Sequence, residues 1–316
     1  MEENSGLIDM VERGRGSDFD GESRLDLIDF QSTGAVMAFS ELTIGEKVGV
    51  GASGVVMKGN WRGTTVAVKR LNSMLSNEQA RHFRDEIKLL IRLRHPQIIQ
   101  FLGAAFHAPD WYVLTEFAER GSLDAALADE QRIGLPWYRR SAMARDAAAG
   151  MNFLHQSQII HRDLKSANLL VTADMRVKIA DFGLSRKFDT AVAMTLGPVG
   201  TPAWSAPELL QGEKYSTKID VYSYGVCLWE IATRETPYQG MPSARVMMSV
   251  CNGMRPLIPL TVSKEWSSLI SDCWHEAPRL RPSFDQVLLR LDKVQAAAAA
   301  HGPGGGVLTL MPAGAV

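Results

Sequence analysis

The stretch Ile160–Leu184, IHRDLKSANLLVTADMRVKIADFGL, constrains this chain more than any other. Its apolar residues Leu169, Leu170, Val171, Val177 and Ile179 predict two short strands about a turn at Thr172–Arg176. Such a hairpin brings Asp163, Asn168 and Asp181 to its open end. Two of these side chains can hold a hard divalent cation through oxygen, and the third is left to face a substrate hydroxyl. Taken singly, His161-Arg162-Asp163 or Asp181-Phe182-Gly183 is a weak signal, and Asp163 alone reads as a solvated loop acid or a helix cap. Both in order, with Asn168 between them, leave chance remote.

HRDxxxxN followed by DFG resembles the catalytic and metal loops of eukaryotic protein kinases. The resemblance implies an α+β, bilobal fold: a small β-rich lobe with one helix, then a larger, mainly helical lobe. It implies ATP as phosphate donor, with Asp163 as base or hydroxyl-orienting group and Lys165 steadying the γ-phosphate. Asn168 and Asp181 would bind Mg²⁺, or Mn²⁺ in its place, across the phosphates. Arg162 would receive an activation-loop phosphate, the alternative being an ordinary surface arginine.

Upstream, Leu42–Val48 alternates weakly and runs into Gly49-Val50-Gly51-Ala52-Ser53-Gly54-Val55-Val56. Glycines at this spacing let backbone N–H groups approach phosphate oxygens closely. The pattern also occurs in dinucleotide-binding folds, but there it should run directly into a helix. Here Val55–Lys58 and Thr64–Arg70 read as strands around a turn at Asn60–Gly63. Val66 and Val68 share one face of the second strand, so Ala67 and Lys69 share the other. A lysine ending an apolar strand is ordinarily a snorkelling edge residue; after this glycine loop, the resemblance assigns it to the α- and β-phosphates of ATP. The nucleotide contacts it implies are Gly49 to Gly54, Val56, Ala67, Lys69, Thr115, Glu116, Ala118 and Leu170. Within Thr115-Glu116-Phe117-Ala118, Thr115 is a small gatekeeper and backbone groups of Glu116 and Ala118 would bind adenine, with little said by the side chains.

Ser76–Arg94 reads as a helix, with Ser76 and Gln79 as a capping box and Phe83, Ile87, Leu90 and Ile91 on one stripe. Glu86 beside that stripe matches the family's glutamate that orients the lysine, so Glu86 and Lys69 join Asp163 and Lys165 as catalytic candidates. Ile98–Phe106 and Trp111–Phe117 read as strands, and Ser122 as the cap of a helix from Leu123. Trp137–Gln156 reads as a core helix that delivers the catalytic loop.

Ser185–Val199 carries several hydroxyls and few large apolar residues. It is read as the activation loop, with Thr190 and Thr195 as candidate sites for an upstream kinase. In the resemblance, Thr201 of Gly200–Glu208 contacts the catalytic loop, and Glu208 pairs with Arg281. Asp220–Thr233 reads as a buried helix whose Asp220 either caps it or ties down the HRD backbone. Trp266–Trp274 and Phe284–Val294 are amphipathic helices.

Organisation follows from charge and composition. The first 37 residues hold nine acids against three arginines, a net of −6, leaving +5 on the rest of a chain whose total is −1. The expected division is 1–37, an acidic disordered segment; 38–117 and 118–296, the two lobes; and 297–316, an Ala/Gly-rich flexible tail. The near-neutral total gives no reason to expect nucleic acid, and no apolar run is long enough for membrane insertion. Three scattered cysteines fit free thiols in a reducing, cytoplasmic setting.

Lys165-Ser166-Ala167 and GTPAWSAPE resemble serine/threonine kinases of the tyrosine-kinase-like group (Raf, mixed-lineage and related kinases). Protein serine and threonine hydroxyls are the substrates this implies. The competing readings are a dual-specificity kinase and a pseudokinase scaffold. The second predicts a missing lysine, base or metal ligand, and none is missing.

Overall fold

The structure, a computed structural model, describes residues 35, 37–51, 54–71, 87, 90–107, 110–129, 135–181, 186–187 and 201–300. The chain divides into two compact units, Met1–Met74 with Phe101–Thr115 and Leu75–Gln100 with Glu116–Val316.

The first unit is an antiparallel sheet of β1 (Leu42–Gly51), β2 (Gly54–Trp61), β3 (Thr64–Leu71), β4 (Phe101–His107) and β5 (Asp110–Glu116), in the order β1-β2-β3-β5-β4. The β2–β3 turn falls at Arg62-Gly63, both with positive φ, as a two-residue hairpin requires. The Asn60 side-chain oxygen accepts from Gly63 N–H at 2.9 Å. Val66 and Val68 are fully buried against Leu42, Ala105, Tyr112 and Leu114. Burial of this kind contributes about 1.5–3 kcal/mol per large aliphatic side chain. The pleat sends Ala67 and Lys69 to the opposite face. The strand predicted from Ile98 begins at Phe101. At the end of the segment expected to be disordered, two residues pair with the sheet: Met37 N–H donates to Ala104 O, and Ala104 N–H to Ala35 O.

The second unit is helical: α1 (Leu123–Ala128), α2 (Trp137–Gln156), α3 (Pro207–Leu210), α4 (Lys218–Thr233), α5 (Ser243–Cys251), α6 (Lys264–Cys273) and α7 (Phe284–Ala300). Nearly every residue of α4 from Ile219 to Ala232 is buried, which makes it the centre of the packing. Trp266 on α6 is fully buried edge-on to Trp137, 4.8 Å between ring centroids. Gly225 lets α4 approach α6, since a Cβ there would sit 2.9 Å from that of Cys273. Ser122 occupies the cap position of α1 without a side-chain hydrogen bond, whereas Ser263 does cap α6 by accepting from Trp266 N–H. The predicted helix 76–94 lies mostly outside the described residues; Ile87 and residues 90–92 are helical. Residues 97–99 belong to this unit by their bonds: Ile179 N–H donates to Gln97 O and Ile99 N–H to Ile179 O, both at 2.9 Å. None of the described helices is long and apolar enough to cross a membrane.

Candidate active site

The predicted hairpin is present as β7 (Leu169–Val171) paired antiparallel with β8 (Val177–Ile179), Leu170 opposite Lys178. Its turn closes with Thr172 N–H on Arg176 O at 3.0 Å. From below, Asp146 on α2 clamps it. This carboxylate accepts from Arg176 Nε (2.7 Å), from the Arg176 terminal nitrogen (2.6 Å) and from Val177 N–H (3.1 Å). The helix read as core alone therefore anchors the hairpin through a buried acid.

The loop before the hairpin starts at β6 (Ile159–Ile160), which pairs with β9 (Arg186–Lys187). Arg162 then takes φ 71° and Asp181 φ 59°, left-handed values that cost a non-glycine residue roughly 1–2 kcal/mol. Asp220 holds the first of these kinks. Its carboxylate accepts from His161 N–H and Arg162 N–H, each at 2.9 Å, and lies 2.9 Å from His155 Nε2. Burial acts to raise the Asp220 pKa, but the His155 hydrogen bond, the His155 and His161 charges and the His161 N–H together keep it below the ordinary value. Asp220 thus ties down the loop backbone, and the cap position of α4 belongs to Thr217. Arg162 is 5% exposed, with its guanidinium over the Tyr215 ring, so it is no surface arginine.

Asp163 sits in a directional cage. Its Oδ2 accepts from Lys165 Nζ (2.7 Å) and from Asn168 Nδ2 (3.1 Å). Asn168 Nδ2 also donates to the Asp163 carbonyl at 2.7 Å. Among the described residues, Oδ1 meets only a long 3.5 Å contact from Thr201 Oγ1. One oxygen is saturated and the other keeps acceptor capacity, which is what orienting a hydroxyl needs. Lys165 Nζ reaches on to Thr201 Oγ1 at 2.9 Å, so the contact expected of Thr201 is made. Asn168 directs its amide nitrogen to Asp163, which leaves its Oδ1 for another partner. Ala180 N–H bonds Asn168 O at 2.9 Å and so holds the residue before Asp181 against Asn168. An amide oxygen and a carboxylate at this spot are hard donors of the kind Mg²⁺ takes, with the remaining ligands left to phosphate and water. Among the described residues no cluster of three or more His, Cys, Asp or Glu forms a closed metal cage.

Beyond the loop, Arg281 pairs with Glu208 as expected, at 2.6 and 2.9 Å. Two further contacts were not legible in the sequence. Ser166 Oγ lies 2.6 Å from Glu230 Oε1, and Trp204 Nε1 donates to Glu230 Oε2 at 2.7 Å. Burial pushes the Glu230 pKa up to about 8, against the two hydrogen bonds and with help from Asp124. The Glu116 side chain, expected to matter little, accepts from Lys178 Nζ at 2.7 and 2.8 Å and from Gln100 N–H at 2.7 Å. Ala118 packs with Ile99 and Ala180, and Leu170 lies against them.

In the first unit, Gly49 stands opposite Val56, Val50 opposite Val55 and Gly51 opposite Gly54. Gly54 has φ 142°, and a Cβ there would lie 2.3 Å from Arg70 O, so only glycine fits. Val56 pairs with Lys69 across β2–β3. Thr115 stands opposite Phe101 at the end of β5. Ala52, Ser53, Glu86, Thr190 and Thr195 lie outside the described residues.

A family model described as protein tyrosine and serine/threonine kinase matches residues 42–291. Among curated proteins, the chain is 45% identical over 264 residues to a probable serine/threonine-protein kinase, drkC, of Dictyostelium discoideum, covering 80% of this chain and 35% of that protein. It is 44% identical over 258 residues to drkA of the same organism, covering 80% and 40%. To the probable serine/threonine-protein kinase SIS8 of Arabidopsis thaliana it is 43% identical over 261 residues, covering 81% and 25%. The chain therefore spans well under half the length of these relatives.

Proposed function

The chain belongs to the protein tyrosine and serine/threonine kinase family, and on that premise we propose that it transfers the γ-phosphate of ATP to serine and threonine hydroxyls of proteins. The observation that carries this reading is the asymmetry at Asp163, with Oδ2 held by Lys165 and Asn168 and Oδ1 left for an incoming hydroxyl. Phosphoryl transfer asks little covalent help of a protein; positioning and charge neutralisation do most of it.

Each residue has a task in that scheme. Asp163 Oδ1 orients the acceptor hydroxyl and takes its proton. Lys165, tethered between Asp163 and Thr201, steadies the transferring phosphate. Gly49 to Gly54 offer backbone N–H groups, and Lys69 with Glu86 fixes the inner phosphates. Glu116 N–H is already donated to Gln100 O, and Ala118 O is taken by Gly121 N–H. The adenine contacts then fall to the Glu116 carbonyl and the Ala118 N–H, with Val56, Ala67, Thr115 and Leu170 as apolar or small neighbours. Asn168 and Asp181 would hold Mg²⁺, whose part is to neutralise phosphate charge; Mn²⁺ has the same taste for oxygen.

The serine/threonine preference rests on Lys165-Ser166-Ala167, on GTPAWSAPE and on relatives named as such kinases. The same features support a place in the tyrosine-kinase-like group. Thr190 and Thr195 are proposed as sites for an upstream kinase from position alone. Three free thiols fit a cytoplasmic setting.

The test is transfer from labelled ATP with Mg²⁺ to generic protein acceptors, with phosphoamino-acid analysis beside Asp163→Ala. Label on serine and threonine, lost in the variant, is expected. Phosphotyrosine would replace this with a dual-specificity enzyme. Nucleotide binding without any transfer would point to a kinase awaiting activation-loop phosphorylation or to a scaffold.

A further inference from the structure

Two neighbouring residues of the catalytic loop are each tied to the segment Thr201–Pro207. Lys165 Nζ reaches Thr201 Oγ1 at 2.9 Å. Ser166 reaches Trp204 through Glu230, whose two carboxyl oxygens lie 2.6 Å from Ser166 Oγ and 2.7 Å from Trp204 Nε1. A single tie leaves a hinge, whereas two ties three residues apart set the segment's orientation against the loop. Glu230 is 4% exposed on α4, the most buried helix of its unit, so the second tie is mounted on a rigid base. The same helix also holds the segment's backbone, through Ser223 Oγ donating to Trp204 O at 2.7 Å.

We propose that Glu230 is a positioning residue for the phosphate acceptor, joining the loop that carries Asp163 to the segment Thr201–Pro207 through Ser166 and Trp204. The inference rests on the kinase reading above. Its consequence is that Glu230 governs how an acceptor protein is presented to Asp163 and leaves nucleotide binding alone.

The two ties can be made by either form of the acid, and burial decides between them. An indole N–H donates only, so Glu230 Oε2 must accept. Ser166 Oγ donates to Oε1 at 2.6 Å when the acid is charged; when it is neutral, the same hydroxyl accepts the proton carried on Oε1. This neutral form is the one burial favours, with a pKa near 8. The charged group facing Glu230 favours it too, since Asp124 on α1 is acidic; the Cys227 thiol one turn back on α4 is held well above its usual pKa, by burial first and Glu230 after, and stays uncharged. Ionisation would reverse the roles, requiring Ser166 to donate and a charge to stand in an apolar interior. The amide of a glutamine reproduces the neutral pattern, carbonyl to Trp204 and NH₂ to Ser166; a leucine keeps the bulk and neither bond.

The experiment uses the full chain and a peptide acceptor identified from the wild-type assay, with melting curves for every variant. Glu230→Leu is expected to raise the acceptor KM or lower kcat so that kcat/KM falls at least tenfold, with the ATP KM within twofold of wild type. Glu230→Gln should keep at least a third of wild-type kcat/KM. Its pH profile should stay level where the wild type declines through about pH 8. Trp204→Phe removes the indole N–H together with part of the ring, leaves Glu230 and Ser166 in place and should reproduce part of the leucine defect, which serves if Glu230→Leu fails to fold. Glu230→Gln no better than Glu230→Leu, superimposable pH profiles, or a Trp204→Phe enzyme with unaltered acceptor kinetics would each overturn the inference. Absence of transfer in the wild type is a different result, since it removes the kinase reading itself.

Discussion

Arg281 and Glu208, 73 positions apart, meet in a two-pronged ion pair with the guanidinium fully buried and the carboxylate nearly so. Arg281 also donates to the carbonyls of His275, Lys218 and Glu276, so every arm of its fork is engaged. Removing one member strands the other as a buried charge, which costs about 3–5 kcal/mol. Arg281→Ala should therefore lower stability by about that much in urea titration. Arg281→Lys should recover only a minor part, because an ammonium cannot fork. A lysine variant as stable as wild type would show that charge alone suffices.

Asp220→Asn tests the loop anchor. Asparagine has one acceptor oxygen, while His161 and Arg162 present two N–H donors to this carboxylate. One donor is left facing an NH₂ group, at a cost of about 1–3 kcal/mol. The kink at Arg162 should relax, and displacement of Asp163 by about 1 Å is enough for a roughly hundredfold loss of kcat. Nucleotide binding should change little. Full turnover in Asp220→Asn would show that the loop holds its shape unaided.

Glu230 predicts a pH dependence of stability with a definite sign. Its pKa is about 8 in the folded chain against an ordinary 4.5. Below pH 4.5 both states carry the proton and its burial costs nothing extra. Between about 4.5 and 8 the unfolded chain releases the proton while the folded chain keeps it, so stability falls as pH rises. The full window amounts to on the order of 3–5 kcal/mol. Melting temperatures should fall more steeply across it for the wild type than for Glu230→Gln. Parallel curves would refute the neutral acid.

Gly150 is the place where α2 touches β8. A Cβ there would lie 2.7 Å from Ile179 Cδ1 and 2.8 Å from Gln97 O. That carbonyl is the one that accepts from Ile179 N–H. Gly150→Ala must push the Gln97 carbonyl that anchors β8 and should cost about 1–3 kcal/mol, with activity falling alongside. An alanine variant of wild-type stability would mean the helix can slide.

Lys178→Met removes the partner of the Glu116 carboxylate, leaving it only the Gln100 N–H. If Glu116 and Ala118 meet the adenine as proposed, the ATP KM should rise about fivefold, near 1 kcal/mol, with acceptor KM unaltered. An unchanged ATP KM would show that the Glu116 backbone is held by β5 alone.

Local signals served the prediction well where the chemistry is contiguous. The hairpin around Asp163, Asn168 and Asp181 was legible because apolar alternation and turn residues lie within one short run. Lys69 opposite Val66 and Val68 followed from the pleat. Helix α2 was placed from its composition and spacing. What escaped were side chains whose partners lie far along the chain. Asp146, Lys178 and Glu230 carry no local signal that sets them apart from their helix or strand neighbours. Glu116 read as a bare backbone position. No periodicity marks such residues, since their meaning lies in which carboxylate a fold carries to which donor.

The sequence by itself determined the element types, the family and the inventory of chemical groups, because each is written in patterns a few residues wide. Tertiary structure alone decided which oxygen of Asp163 keeps acceptor capacity, that Asp220 holds the loop rather than capping its helix, and that Glu230 lies between Ser166 and Trp204. The reason is physical: a hydrogen bond acts over about 3 Å, and only the packed chain brings groups from distant positions within that reach.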